Sequence, residues 1–167
     1  MPDHSDPFIT LVSDAMTAQT IMDPNPTVLQ LTDTICTAMQ YIMKKRYRNL
    51  PVVDEEHRFL GVVGINCILR LALPKAIIME YGLNSAPFVR ESLSDLHTRF
   101  NEVKDQTIRL CMFDEVAVVR PDTPLVETLV ILFRTQSSLP VVEPDSHRLV
   151  GVISYWDACS RILAAET

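Results

Sequence analysis

The chain has 167 residues, is 47% hydrophobic and 22% charged, and carries a formal net charge of -6. That apolar fraction is enough for a sizeable core and excludes a disordered chain, while the acidic balance excludes a surface that neutralises many nucleic-acid phosphates. No stretch reaches the roughly 18 apolar residues that span a bilayer, and the acidic Met1–Phe8 start has no apolar leader-like run; no membrane insertion and a cytoplasmic location are expected.

In chain order, residues 1–15 read as a tail with a lead-in helix ending near Leu11–Met16. Thr27-Val28-Leu29 is a short strand candidate, and Thr32-Asp33 is the expected N-cap of a helix. In that helix Ile35, Ala38, Met39, Ile42 and Met43 fall on one stripe at the 3.6 period. Leu50-Pro51-Val52-Val53, a polar turn and a second apolar run entered through His57-Arg58 make a β-hairpin ending near Gly61. Ile65–Leu73 is the next helix.

The same order then returns. Ile108–Met112 reads as a second lead-in matching Leu11–Met16, which leaves ten residues between Met16 and Thr27 against three between Met112 and Val116, an extra Pro-rich loop in the first copy. Asp122-Thr123 opens a helix with Pro124 in its first turn, and Leu125, Thr128, Leu129, Leu132 and Phe133 repeat the first stripe 90 positions later. Leu139-Pro140-Val141-Val142, His147-Arg148 and Gly151-Val152-Ile153 repeat the hairpin, and Tyr155–Ala165 the last helix. Each copy is therefore β-α-β-β-α. Two copies of one unit are expected to pack together rather than stand alone, with a ligand cleft between them. The divisions are 1–15, a first repeat 16–73, a helical linker 74–111 and a second repeat 112–167.

Within the linker, Pro74–Tyr81 could extend a helix, Gly82–Pro87 breaks it, and Ser92–Val103 is helical again, with Leu93, Leu96, Phe100 and Val103 on one face. That face is expected to pack on its own domain. Cys36, Cys67, Cys111 and Cys159 lack any C-x-x-C spacing and read as reduced thiols. His57 and His147 share a hairpin position, which favours a turn role over metal binding, and no metal-ligand spacing occurs.

The capped helix with Ala38 or Thr128 at its small position, the Leu-Pro-Val-Val strand, the hairpin and the Gly151-x-x-Ser154-x-x-Asp157 segment together resemble the CBS domain, usually found as a tandem pair. The resemblance covers about 16–72 and 112–165. It implies an α/β fold of two repeats packed with pseudo-twofold symmetry. It also implies clefts for an adenosine compound (AMP, ADP, ATP or S-adenosylmethionine) as a regulatory ligand, with no cofactor required. On this resemblance Ser154 meets phosphate or ribose, Asp157 binds ribose hydroxyls, and adenine lies near Val116, Ala117, Val118, Ser137, Ser138, Leu139 and Pro140. A serine at a helix start, where free N–H groups favour an anion, makes physical sense.

The first copy departs at both positions: Gly64 replaces the hydroxyl and Cys67 the acid. A second, degenerate site would consist of Thr27, Val28, Arg48, Asn49, Leu50 and Gly64, with the glycine letting a phosphate approach backbone N–H groups. The competing reading of Ser154-x-x-Asp157 is a capping box. For Lys44-Lys45-Arg46 it is a solvated helix end, and for Trp156 a cover for apolar surface. Nothing assembles a nucleophile, base and oxyanion donors, so the chain is not expected to be an enzyme. A ligand-sensing module acting on an unknown effector protein, as a homodimer through the repeat helices, is the leading expectation. A constitutive dimerisation module without nucleotide is the alternative.

Overall fold

The computed structural model describes residues 16–75, 77–78 and 90–164. All but Met16 of the expected Leu11–Met16 helix, half of the Pro74–Tyr81 helix and the Gly82–Pro87 break lie outside those residues. The elements are α1 Ala18–Ile21, β1 Leu29–Gln30, α2 Ile35–Lys45, β2 Asn49–Val53, β3 Phe59–Gly64, α3 Asn66–Ala72 and α4 Leu93–Val103. A 3₁₀ turn Ile108–Leu110, α5 Leu125–Thr135, β4 Leu139–Val142, β5 Leu149–Ile153 and α6 Tyr155–Ala164 complete the order.

The chain forms two compact units. One comprises residues 27–116, here the first-repeat unit; the other joins residues 16–26 to 117–164, here the second-repeat unit. In the first-repeat unit β1 runs parallel to β2, with Leu29 beside Val52, and β2 pairs antiparallel with β3. Its core holds Leu29, Ile35, Ala38, Ile42, Leu50, Val52, Val63 and Ile108. In the second-repeat unit β4 and β5 form the hairpin, and the strand equivalent to β1 is reduced to a single parallel bridge, Val119 to Val141. Its core gathers Ala18, Ile21, Val119, Leu132, Leu139, Val141, Ile153 and Ala158.

The unit boundaries differ from the sequence repeat because each lead-in packs on the other repeat. Thr17 bridges Pro124 and Asp23 bridges Val152, whereas Thr107 bridges Thr34 and Phe113 bridges Val62. Every one of these residues moves by 90 positions to its counterpart, so Thr17 matches Thr107 and Met22 matches Met112. The extra Pro-rich loop expected in the first copy is therefore absent: the equivalent of Met112 is Met22 rather than Met16, and the spacing from Met22 to Thr27 equals that from Met112 to Ala117.

Local chemistry accounts for further shifts. Thr34, not Thr32-Asp33, caps α2, accepting from the Thr37 N–H at 3.2 Å, while an Asp33 carboxylate oxygen accepts from the Gln30 N–H in the preceding turn. Pro124 stands at the N-cap of α5. The apolar stripes bury Ile35, Ala38, Met39 and Ile42 in one helix and Thr128 and Leu132 in the other, but Met43 and Phe133, both assigned to those stripes, are 61% and 76% exposed. Over eight residues a 3.6-residue period drifts off the face.

Gly61 and Gly151 do not end their strands. They lie inside β3 and β5, where the exchanged lead-ins cross: a Cβ on Gly61 would stand 2.4 Å from the Phe113 carbonyl oxygen, and one on Gly151 would stand 2.5 Å from Met22 Sδ and 2.8 Å from the Asp23 carbonyl oxygen. His57 and His147 both adopt left-handed turn conformations, φ 63° and 56°.

Ser92 and Asp95 form a capping box at the start of α4, which packs on α3 through half-buried Leu96, Phe100 and Val103 while Leu93 stays exposed. The thiols also differ from expectation. Cys67 and Cys111, both buried among core side chains, are joined as a disulfide with Cα atoms 5.7 Å apart, and Cys36 and Cys159 are free. Wide sequence spacing says nothing about two cysteines that the exchanged lead-in brings together.

Candidate functional site

In the second-repeat unit the register of β4, β5 and the Val119 bridge gathers the expected residues at one sheet end. Leu139 pairs with Ile153 and Pro140 with Val152, so Ser137 and Ser138 enter β4 beside the point where Ser154 leaves β5. Val119 donates its N–H to the Pro140 carbonyl at 3.0 Å and accepts from the Val142 N–H at 2.9 Å, which brings Ala117 and Val118 to the same end. Leu139 and Pro140 are buried, Ser137, Ser138, Ser154 and Asp157 are half-buried, and Ala117 and Val118 are exposed. Val116 falls with the first-repeat unit instead.

Ser154 and Asp157 open α6 as a reciprocal capping box. One carboxylate oxygen of Asp157, Oδ2, accepts from the Ser154 N–H at 2.7 Å and from Ser154 Oγ at 2.6 Å, while Ser154 Oγ accepts from the Asp157 N–H at 3.2 Å. The geometry thus realises the capping reading. It leaves Oδ1 without a protein partner among the described residues. A half-buried carboxylate oxygen held by a rigid cap suits two adjacent hydroxyl donors. Tyr155, next in the chain, donates its hydroxyl to the Leu132 carbonyl at 2.9 Å and fixes α6 against α5.

The first repeat assembles the same positions without the same chemistry. Asn49 pairs with Gly64 at the equivalent sheet end, where Thr27 and Val28 lead into β1 and Leu50 is buried. The space that Gly64 opens is taken by the chain: its Cβ position would be 3.2 Å from the Arg48 carbonyl oxygen, and that oxygen accepts the Ile65 N–H at 2.8 Å. The Ile65 N–H is thus satisfied within the chain. Arg48 is exposed, α3 has no side-chain cap, and Cys67 is buried in its disulfide. Lys44 and Lys45 lie exposed in the last turn of α2, where cations complement the helix dipole.

A surface depression of about 300 Å³ lies elsewhere on the first-repeat unit, lined by Gln30, Thr32, Asp54, Arg58 and Arg109 among others. None of the expected site residues lines it. Arg58 is engaged there by Asp54 at 2.8 Å and Glu56 at 2.9 Å, and the Asp54 carboxyl is held below its ordinary range chiefly by the Arg58 backbone N–H, which donates to it at 2.8 Å, and then by the Arg58 side chain and the Glu56 N–H. Among the described residues no group of three or more His, Cys, Asp or Glu side chains could hold a metal ion, and no helix is long and apolar enough to cross a membrane. The residues missed by sequence reasoning are those of the crossing, Asp23, Phe113 and the two mid-strand glycines. Their signal was present as the constant 90-residue offset joining Thr17 to Thr107 and Met22 to Met112.

Two α/β units of one design, each a hairpin and flanking helices, with a Ser-Asp capped helix at the sheet end of one of them, define a tandem-repeat protein rather than a single-domain fold. The chain belongs to the CBS-domain family: the family model, described as CBS domain, matches residues 12–73 and 103–164. No curated protein matches the sequence. Among solved structures it is similar to the CBS-pair protein CBSX2 from Arabidopsis thaliana, with a TM-score of 0.69 and 21% identity over 89% of this chain and 95% of that one. CBSX2 in complex with AMP matches at a TM-score of 0.64 and 21% identity, over 88% and 96% of the two chains. The CBS domain pair of MJ0100 in complex with 5'-methylthioadenosine and S-adenosyl-L-methionine matches at 0.59 and 18% identity, over 92% and 99%. At these identities the likeness is one of fold.

Proposed function

We propose that this protein is a ligand-sensing regulatory module that binds an adenosine compound, AMP, ADP, ATP or S-adenosylmethionine, at the sheet end of the second-repeat unit and acts on a separate effector protein. The observation that carries the reading is the Ser154–Asp157 pair, held rigid at the start of a ten-residue helix with one carboxylate oxygen left to accept. The complexes of CBSX2 with AMP and of MJ0100 with 5'-methylthioadenosine and S-adenosyl-L-methionine support the class of ligand. The same module has no chemistry of its own and signals only through the difference in ligand affinity between its states.

A second reading rests on a different observation. Val126, Phe133, Trp156, Ile162 and Leu163 of α5 and α6 are all more than 60% exposed. Phe133 and Trp156 can each bury about 150–250 Å², a substantial part of the roughly 800 Å² per partner that a standard interface covers. These exposed apolar side chains favour a homodimer through the repeat helices, and a constitutive dimerisation module would need nucleotide at neither repeat.

One series separates the readings. Thermal unfolding is followed with AMP, ADP, ATP and S-adenosylmethionine, and a ligand at 100 times its Kd adds about 2.7 kcal/mol. The sensing reading expects a shift with at least one ligand that Asp157→Ala abolishes, against a modest fall in ligand-free stability of about 1 kcal/mol from the lost cap. No shift with any of the four, in a protein that sediments as a dimer, establishes the second reading instead.

A further inference from the structure

The disulfide sits at a joint that both units possess. By the 90-residue offset, Cys111 corresponds to Ile21 and Cys67 to Asp157, so in each unit a residue ending the exchanged lead-in faces the first turn of the last helix. In the second-repeat unit this joint is noncovalent: Ile21 is buried, α1 packs on α6 and β5, and Asp157 caps the helix. In the first-repeat unit the cap is missing and a sulfur–sulfur bond takes its place.

Ile108 anchors the start of that lead-in in the core, and its N–H donates to the Asp33 carbonyl at 2.9 Å, whereas the residues flanking Cys111 lie nearer the surface. Val62 and Phe113 exchange backbone hydrogen bonds of 2.8 and 2.9 Å, Arg70 donates to the Leu110 carbonyl at 3.1 Å, and its guanidinium lies 4.6 Å from the centre of the Phe113 ring. Leu110 and Phe113 are 46% and 43% exposed, while both sulfurs belong to fully buried residues just beneath. The stretch from Leu110 to Phe113, past the Ile108 anchor and held mainly by these surface contacts and the disulfide, is a segment that opens locally without global unfolding.

We infer that the Cys67–Cys111 bond is a redox-responsive clasp that fixes the 107–113 lead-in to the first-repeat unit, so that thiol redox state sets how firmly that segment is attached. The noncovalent joint of the second-repeat unit is the model for the reduced state: folded, with the lead-in seated but free to open. The segment runs on to Val116, the last residue of the first-repeat unit.

The reaction needs a dithiol as reductant. Its thiolate attacks one sulfur of the bond during a local opening and expels the other cysteine as thiolate, leaving a mixed disulfide. The second thiol of the reductant then displaces the remaining cysteine, and two protonated thiols on the protein face one oxidised dithiol, two electrons and two protons having passed.

The test uses the full chain and dithiothreitol. Air-oxidised protein, denatured and alkylated without reductant, is expected to take two adducts, at Cys36 and Cys159, and four after native treatment with dithiothreitol. Reduction is expected to leave the circular dichroism spectrum folded and to speed hydrogen exchange across 107–113 at least tenfold, with 17–23 unchanged. Cys67→Ser/Cys111→Ser should match the reduced wild type in either buffer. Four adducts without reductant, resistance of the bond to native dithiothreitol, or unchanged exchange after reduction overturns the inference. So does unfolding of the reduced wild type, whatever the double variant does, because a bond required for folding is no switch.

Discussion

At the scale of single residues, the two mid-strand glycines hold the exchanged lead-ins in register, but they are not equivalent. A methyl group at Gly61 meets a backbone carbonyl, that of Phe113, at 2.4 Å; one at Gly151 first meets the flexible end of Met22 at 2.5 Å, with the Asp23 carbonyl at 2.8 Å. A thioether can swing aside, whereas a carbonyl in a bridge cannot without breaking its hydrogen bonds. Gly61→Ala is therefore expected to cost about 2–3 kcal/mol and Gly151→Ala less, as measured by urea unfolding. Equal midpoints for the two variants would contradict this ordering. Asp157 teaches a related lesson. Its spacing from Ser154 suits both a ligand contact and a helix cap, and the fold uses one oxygen for the cap while leaving the other to accept.

At the scale of elements, helices were legible where periodicity and caps agreed. Ser92 and Asp95 announce α4 by their spacing, and Leu96, Phe100 and Val103 of its stripe are half-buried, but Leu93 on the same stripe is 84% exposed. The anchoring of α4 is partly ionic. Asp95 is held below the ordinary carboxylate range chiefly by the Ser92 backbone N–H, and Glu91 chiefly by its side-chain hydrogen bonds from Arg99 at 2.6 and 2.9 Å. Arg99 also donates to the Ala72 carbonyl at 2.5 Å, tying α4 to the end of α3. Both carboxyls have folded values depressed below their unfolded ones. Their contribution is thus complete above the unfolded value and is lost as pH falls through the folded one. Protection of the α4 amides, corrected for intrinsic exchange, should be flat from pH 7 to about 5 and drop below about pH 4. Protection unchanged at pH 2.5 would show that apolar docking alone holds the helix.

At the scale of the whole molecule, the exchange of lead-ins makes residues near the N-terminus part of the second-repeat core. Ile21 is 3% exposed among Leu132, Val141 and Ile153. Ile21→Ala should destabilise by about 2–5 kcal/mol, and hydrogen exchange should rise in β4 and β5 while β2 and β3 keep their protection. The reverse distribution would mean that the lead-in serves its own repeat. In the first-repeat unit the disulfide closes a separation of 44 residues, for which chain entropy alone predicts about 4 kcal/mol.

The sequence by itself determined the duplication, the β-α-β-β-α order and the asymmetry between Ser154–Asp157 and Gly64–Cys67, because these depend on residue type at short, regular spacings. Only the tertiary structure decided which repeat each lead-in joins, that Gly61 and Gly151 are crossing points rather than strand ends, and that Cys67 meets Cys111. These are contacts between segments far apart along the chain. Local periodicity carries no record of them, since the same short apolar lead-in can cover either hairpin until packing selects one.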